Sequence, residues 1–291
     1  MRESPITNRP DQLAEKARRP ESRPFRKERP ALETTATRIK GSYASVNGLQ
    51  MYYEIHGAGR PLVLLHGGLN TIDTSFATIL PSLANTRQTI AVEQQAHGHT
   101  ADIDRPLTFE AMADDTAALI DQLELESADV FGYSLGGSVA LQMGIRHPTS
   151  VRKLVLASAI YALDGYSPDI ATGLKHATAE GMPSSLRDAY SKVAPHPEDW
   201  PTLVAKMAQL ASAFKGWPSA DIRSISAPTL VIAADRDIVR IEHTVELFRM
   251  LPQAQFAVLP GANHFSYLLE RPERLLSMIS AFLDAPMPKT T

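Results

Sequence analysis

The stretch Val130-Phe131-Gly132-Tyr133-Ser134-Leu135-Gly136-Gly137 constrains the fold more than any other part of the chain. An apolar run ends at Phe131, a small-residue run begins at Gly136, and Gly132-x-Ser134-x-Gly136 lies between them. This is the pattern of a nucleophile elbow, a sharp strand-to-helix turn that lifts a serine hydroxyl out of a sheet. Side chains do not fit two residues before and after such a serine, so glycine is needed there. A helix starting just after Ser134 adds backbone N–H donors and a partial positive charge where an oxyanion develops. The same five residues also describe a glycine-rich turn with an incidental serine, and the rest of the chain decides between the two.

Around this turn the hydrophobic pattern alternates between strand and helix. Residues 42–46 and 49–55 flank Asn47-Gly48, a two-residue hairpin signal. Residues 62–65 form a continuous apolar run, as expected of a strand buried on both faces of a parallel sheet. His66-Gly67-Gly68-Leu69 follows at its end. A helix is predicted near 74–84, a strand over 89–92 and a loop over 93–100. A helix over 108–125 follows, with Thr108 as its N-cap. Beyond the elbow helix, which ends near Arg146-His147-Pro148, residues 151–157 read as another buried strand. Strands over 228–233 and 255–259 and helices over 242–250 and 272–283 complete the rhythm. The expected fold class is α/β: a mostly parallel, doubly wound sheet with right-handed crossovers and an N-terminal antiparallel hairpin. Functional groups in such sheets gather at the C-terminal ends of strands.

The rhythm is interrupted between about residues 158 and 226. Both tryptophans, Trp200 and Trp217, lie there with Tyr161, Tyr166, Tyr190 and several prolines. Helical segments are expected over 184–193 and 199–214. This stretch reads as a helical cap laid over the strand ends, its apolar residues mostly packing it onto the core. The core itself is assigned to 37–157 and 227–291. Residues 1–36 differ: they are rich in Arg, Pro and Glu and too poor in apolar residues to offset the cost of ordering, so they read as a disordered or loosely attached extension.

At 291 residues, 44% hydrophobic and 21% charged, the chain reads as a soluble globular protein and suits one large α/β domain or a core with an inserted subdomain. A net charge of −3 offers no nucleic-acid footprint. No apolar run approaches the roughly 18 residues of a membrane span, and no signal-peptide core is seen, so a cytoplasmic location without membrane insertion is expected. With no cysteine there is no thiolate nucleophile and no Cys-based metal site.

A serine is a weak nucleophile until a base takes its proton, and an acid must hold that base in one tautomer. Three predicted strand ends supply the three parts in the order Ser134, Asp237, His264. Of nine histidines, His264 alone sits in a Gly-initiated loop after the last strand, and it is assigned as the base. The acid is either Asp235 or Asp237, two residues apart beyond one strand; Asp237 is preferred, with Asp235 a loop-capping or solvated carboxylate. Asp115 and Asp121 are expected on a solvated helix face. His97 and His99 flank a glycine, but a metal site needs a third ligand at useful spacing, so no metal and no cofactor are expected. His56, His147, His176, His196 and His243 carry no pattern and are expected to be structural or exposed. An oxyanion needs two N–H donors. These are assigned to the backbone of Leu135, directly after the nucleophile, and of Leu69, in a loop that His66, Gly67 and Gly68 support.

With these residues in place the chain resembles the α/β-hydrolase superfamily, specifically its small serine esterase and non-haem haloperoxidase-like branch. The resemblance covers about residues 42–285. It rests on His66-Gly67-Gly68, on Gly132 to Gly137, on Ala234-Asp235-Arg236-Asp237 and on Gly261-Ala262-Asn263-His264. It implies an α/β-hydrolase fold with a cap and supports Asp237, since the second aspartate of the strand-end motif is usually the triad acid. Many relatives carry Asp-x-Arg-Gly-x-Gly after the third buried strand; here Glu93-Gln94-Gln95-Ala96-His97-Gly98 lacks the arginine, whose role in relatives does not carry over. Serine in the elbow argues against the epoxide hydrolase and haloalkane dehalogenase branches, which need a carboxylate nucleophile. The expected activity is hydrolysis of a small-molecule carboxylic ester or lactone. C–C bond hydrolysis, acyl transfer and catalytically silent ligand binding are the alternatives on the same scaffold.

Overall fold

The computed structural model describes residues 41–288, so the extension expected over 1–36 lies outside the described residues. β1 (Ser42–Val46) and β2 (Leu49–His56) form the antiparallel hairpin. Its turn residues Asn47 and Gly48 both have positive φ, 47° and 83°, which is why Asn-Gly suits this site. There follow β3 (Arg60–Leu65), α1 (Ile72–Phe76), α2 (Leu80–Ala84), β4 (Arg87–Val92), α3 (Phe109–Gln122), β5 (Ala128–Tyr133), α4 (Leu135–Arg146) and β6 (Val151–Ala157). Four helices come next: α5 (Pro168–Lys175), α6 (Ser184–Val193), α7 (Trp200–Ala213) and α8 (Ser219–Arg223). The chain ends with β7 (Thr229–Arg236), α9 (Ile241–Met250), β8 (Ala254–Asn263), α10 (Ser266–Leu269) and α11 (Pro272–Asp284).

The strands form one eight-stranded sheet in the order β1-β2-β4-β3-β5-β6-β7-β8. β2 pairs antiparallel with β1 and β4, and all other pairs are parallel. Successive side chains of a strand point to opposite faces, and here both faces are covered. Val63, Leu65, Val130, Leu154, Leu156 and Val231 pack one face under α3, α4, α8 and α9. Leu62, Leu64, Phe131, Val155, Leu230 and Ile232 pack the other under α1, α2, α10 and α11. The unbroken apolar runs in the sequence follow from this double coverage, because side chains on both faces of these strands are buried.

Helix boundaries have local causes. Thr108 caps α3, its side chain accepting from the Ala111 N–H at 3.0 Å. The single helix expected near 74–84 is two short helices, because Pro81 has no N–H to continue a helix but fits the first turn of a new one. Asp115 corrects an expectation. It is fully buried rather than on a solvated face, and its carboxylate accepts from Asn47 Nδ2 at 3.0 Å and pairs with Arg105. Arg105 in turn donates through Nε to Gln95 Oε1 at 2.6 Å. A guanidinium from residue 105 thus meets the loop at Gln95, where the family pattern has an arginine.

Between β6 and β7, α7 and the end of α6 pack onto the loop after β4. Tyr190, Trp200, Leu203 and Val204 form an apolar cluster there with Ala96 and Leu107. Lys206 pairs with Asp102 at 2.6 Å, and Trp217 Nε1 donates to Glu110 at 2.8 Å. α8 behaves differently: Ile222 and the following Ile225 are fully buried in the main core. No helix among the described residues is long and apolar enough to cross a membrane.

Backbones crowd together at the turn around Ser134. A Cβ at Gly132 would lie 2.1 Å from the Gly136 carbonyl oxygen, and one at Gly136 would lie 2.1 Å from the Leu65 carbonyl oxygen. Gly132→Ala and Gly136→Ala should each cost about 3 kcal/mol or more in urea unfolding, since backbone atoms must move. Gly173→Ala, in α5 with open space around it, should leave stability unchanged or raise it by up to about 1 kcal/mol.

Candidate active site

Ser134 is held by main chain on both sides. Its N–H donates to the Ala157 carbonyl at 2.8 Å, and the Ser138 N–H donates to its carbonyl at 3.2 Å. Its backbone sits at φ 55°, ψ −117°, a strained conformation for a residue with a Cβ, of the kind that costs about 1–3 kcal/mol. The surrounding packing maintains it. Ser134 occupies the N-cap position of α4, yet its side chain makes no capping bond. The hydroxyl meets His264 instead, with Nε2 3.0 Å from Oγ.

His264 follows β8 directly and is 4% exposed. Asn263 Oδ1 accepts from the N–H groups of Phe265 and Ser266 at 3.0 and 2.9 Å, folding the chain into α10. The Tyr133 hydroxyl donates to the His264 carbonyl at 2.9 Å, so the residue beside the nucleophile also anchors the histidine backbone. His264 Nδ1 lies 2.6 Å from Asp237 Oδ1. A carboxylate only accepts, so Nδ1 carries the proton and the Nε2 lone pair faces the Ser134 hydroxyl.

Of the two candidate acids, Asp237 is the one brought to the histidine. Burial works to raise its carboxyl, but hydrogen bonds from His264, from Ser158 Oγ at 2.5 Å and from the Val239 N–H at 3.2 Å outweigh this, leaving it below the usual carboxylate range. Asp235 faces away and accepts from the Gly261 and Ala262 N–H groups at 2.9 and 3.0 Å, tying the end of β7 to the end of β8.

Three residues of this network lack a sequence signal. Ser158 sits just past β6 at φ 52° and bridges Asp237 to the Tyr267 hydroxyl, 2.6 Å away. Tyr166 lines the cavity beside Ser134; burial pushes its phenol well above the usual value, and the charge of Asp237 adds to that. A left-handed serine after a strand and two tyrosines 101 residues apart in sequence carry no spacing rule by which they could be recognised.

The loop after β3 stands across from the elbow. His66 is fully buried: its Nδ1–H donates to the Gly67 carbonyl at 2.8 Å, and its Nε2 accepts from the Gln94 N–H at 3.1 Å. Its carbonyl accepts from the Gly136 N–H at 3.0 Å, joining this loop to α4. Leu69 is held at φ 61° in a turn closed by the Asn70 N–H on the Gly67 carbonyl at 3.2 Å. Gly67, Gly68, Leu69 and Leu135 all line the cavity over Ser134. The N–H groups of Gly68, Leu69 and Leu135 have no acceptor among the described residues and are available to an oxyanion.

The cavity above Ser134 measures about 430 Å³, and its wall is predominantly apolar, with Phe109, Ile160, Met207, Leu210 and Phe214 among its residues. The elements between β6 and β7 supply much of that wall. His97 and His99 do not converge on it. His97 Nδ1–H donates to the Gln95 carbonyl at 2.9 Å, while His99 pairs with the buried Glu93 at 2.8 Å. Among the described residues no group of three or more His, Cys, Asp or Glu side chains is placed to hold a metal ion.

Ser134, His264 and Asp237 thus form one hydrogen-bonded chain at the ends of β5, β7 and β8, under an apolar cavity. The model of the alpha/beta hydrolase family matches residues 62–277, and the chain belongs to that family. Among its relatives is a 2-hydroxymuconate semialdehyde hydrolase of a Pseudomonas species, 27% identical over 81% of this chain and 91% of the relative. Another is a pyrrolizixenacetamide deacetylase of Xenorhabdus hominickii, 24% identical over 82% and 96%. The fold matches the crystal structure of an enol-lactonase from Burkholderia xenovorans with a TM-score of 0.67 at 22% identity, over 84% of this chain and all of that one.

His66 and His97 lie with ring centroids 4.9 Å apart. Burial lowers both to about 4, and for His66 the proximity of His97 adds to the effect. Both are neutral in the fold, while an unfolded histidine titrates near 6.5. Burial lowers His243 to about 4 as well, so unfolding between these values takes up three protons, two on this pair and one on His243. The corresponding stability is fully present above about pH 6.5 and falls as pH drops toward 4, by about 1.4 kcal/mol per pH unit for each histidine. Urea unfolding measured from pH 7 to 4.5 should show this slope, and His97→Asn should remove one proton from it.

Proposed function

We propose that this chain is a serine carboxylic-ester hydrolase, lactones included as cyclic esters, acting on small to medium, partly apolar molecules through an acyl-enzyme. The observation that carries the reading is the continuous chain of hydrogen bonds from Ser134 Oγ through His264 to Asp237, opening into an apolar cavity. His264 Nε2 takes the Ser134 proton as Oγ attacks the carbonyl carbon. The negative charge that develops on the carbonyl oxygen is met by the N–H groups of Leu135 and Leu69, with Gly67 and Gly68 allowing the close approach; one such donor is worth about 3–4 kcal/mol in a transition state. Asp237 keeps the imidazole in the productive tautomer and stabilises the imidazolium. That imidazolium gives its proton to the departing alkoxide, leaving the acyl group on Ser134. Water, deprotonated by His264, then attacks the acyl carbon, and Ser134 Oγ leaves with the proton. Residues 158–226 serve as the cap in this reading, shaping which acyl and alcohol groups fit.

A second reading on the same triad is hydrolysis of a C–C bond in a β-diketone-like substrate, or acyl transfer to an acceptor other than water. The similarity to a semialdehyde hydrolase favours it. Product analysis across an ester, lactone and diketone panel separates the two.

Ser134→Ala should lower kcat/KM for p-nitrophenyl acetate by at least about 10⁴-fold and abolish labelling by a fluorophosphonate probe, with the circular dichroism spectrum unchanged. Asp237→Asn should cost about 10³- to 10⁴-fold in kcat by allowing the wrong tautomer. Asp235→Asn should cost less than about fivefold, since that carboxylate bonds only to the backbone of the neighbouring strand end. Unchanged turnover in Ser134→Ala rejects the reading.

A further inference from the structure

A second, more open cavity of about 650 Å³ adjoins the one over Ser134, and Leu163, Tyr166 and Phe214 belong to the walls of both. The two differ in charge. No lysine or arginine lines the catalytic cavity, whereas Lys175, Lys215 and Arg240 line the outer one against a single carboxylate, Asp164.

The three cations arrive from three separate parts of the chain. Lys175 is the last residue of α5. Lys215 precedes Gly216, whose φ of 89° turns the chain toward α8. Arg240 is the residue before α9. None of the three forms an ion pair with a carboxylate among the described residues. Lys215 Nζ has only the Ser212 carbonyl, at 3.3 Å. Arg240 is pinned to the shared wall. Its backbone N–H donates to the Gly165 carbonyl at 2.8 Å and its Nε to the Asp164 carbonyl at 2.9 Å. That anchoring uses Nε and leaves both terminal guanidinium nitrogens without a partner among the described residues. A concave site carrying an excess of one sign of charge raises the local concentration of the opposite ion, and a guanidinium fixed through Nε presents a planar pair of donors suited to a carboxylate.

We propose that the outer cavity is an anion subsite and that the substrate carries a carboxylate at the end remote from its scissile acyl carbon. The apolar body of such a molecule fills the cavity over Ser134, its chain passes Leu163 and Phe214, and its carboxylate meets Lys175, Lys215 and Arg240. This rests on the acyl-hydrolase reading of Ser134 and narrows it from partly apolar esters to esters of dicarboxylic or other acid-bearing molecules.

The test uses mono-p-nitrophenyl esters of adipic, suberic and sebacic acids, each beside its ω-methyl-capped counterpart, with the full chain. The free carboxylate should raise kcat/KM over the capped ester by about tenfold at one chain length, as two or three partly exposed charge pairs provide, and the advantage should shrink as salt is added. Lys175→Gln with Lys215→Gln and Arg240→Gln should bring the advantage to about unity and leave the capped ester within about twofold. Asp164→Asn should increase the advantage, a gain that misfolding does not mimic. No advantage at any chain length, or one that survives neutralisation of the cations, overturns the proposal. If the triple variant does not fold, an advantage indifferent to both Asp164→Asn and salt overturns it equally. Failure to cleave any of the esters would instead reject the acyl-hydrolase reading. The subsite is then decided by calorimetric binding of monomethyl suberate to Ser134→Ala. Affinity lost on neutralising Lys175 and Lys215 supports it, and unchanged affinity overturns it.

Discussion

The close approach of α4 to β5 and β3 at the Ser134 turn is the constraint on which the site depends. The Gly136 carbonyl lies where a side chain of Gly132 would be, and the Leu65 carbonyl where one of Gly136 would be. Because these backbones touch, the Gly136 N–H reaches the His66 carbonyl, and the loop carrying Gly68 and Leu69 is fastened to the same helix whose first residue is Leu135. Ser134 and the backbone N–H groups of Leu69 and Leu135 are therefore parts of one packed junction. Ser134 is held in a strained conformation that keeps its hydroxyl off the helix cap and free for His264. Strain of this sort persists only where the neighbours over-determine the backbone.

Around that junction lies a layer of buried polar groups that are satisfied locally. Glu93 accepts from the Ile72 N–H and pairs with His99, and Asp115 pairs with Arg105. His66 bridges the Gly67 carbonyl and the Gln94 N–H as a neutral ring. On the other flank Ser158 and Tyr267 hold Asp237. Removing one partner from such a network leaves the other buried and unpaired, which costs more than the bond itself is worth. Ser134, His264 and Asp237 are thus positioned by a surrounding shell of hydrogen-bonded side chains.

The hydrogen-bonded triad and the cavity wall come from different parts of the molecule. The triad sits at the ends of β5, β7 and β8, where the sheet fixes its geometry. The cavity wall comes largely from the elements between β6 and β7, whose apolar residues both fasten the insertion and face the cavity. Met207 shows the overlap: it packs against the cluster of Trp200 and Leu203, and its methyl lies where a side chain of Gly68 would be.

Much of this was legible in the sequence because it depends on local rules. Glycine around Ser134, the Asn47-Gly48 turn, the unbroken apolar runs and the Thr108 cap each reflect a constraint acting within a few residues. The order Ser134, Asp237, His264 at strand ends followed from those elements. What the chain pattern left open was settled by contacts between distant segments. Asp237 is preferred over Asp235 only by the family motif; in the fold they differ because the end of β8 offers backbone N–H groups to Asp235 and the His264 ring to Asp237. Asp115 reads as a surface residue until Arg105 and Asn47 arrive to pair with it. Ser158, Tyr166 and Tyr267 gain their place beside the triad only when β6, the insertion and α10 converge. Sequence alone determined the class of fold and singled out Ser134, His264 and the Asp235–Asp237 pair as candidates, since these readings rest on backbone sterics and side-chain periodicity. Tertiary structure decided which carboxylate serves the histidine, which polar groups are buried, and where cations gather beside an apolar cavity, since those depend on which side chains meet across long separations in the chain.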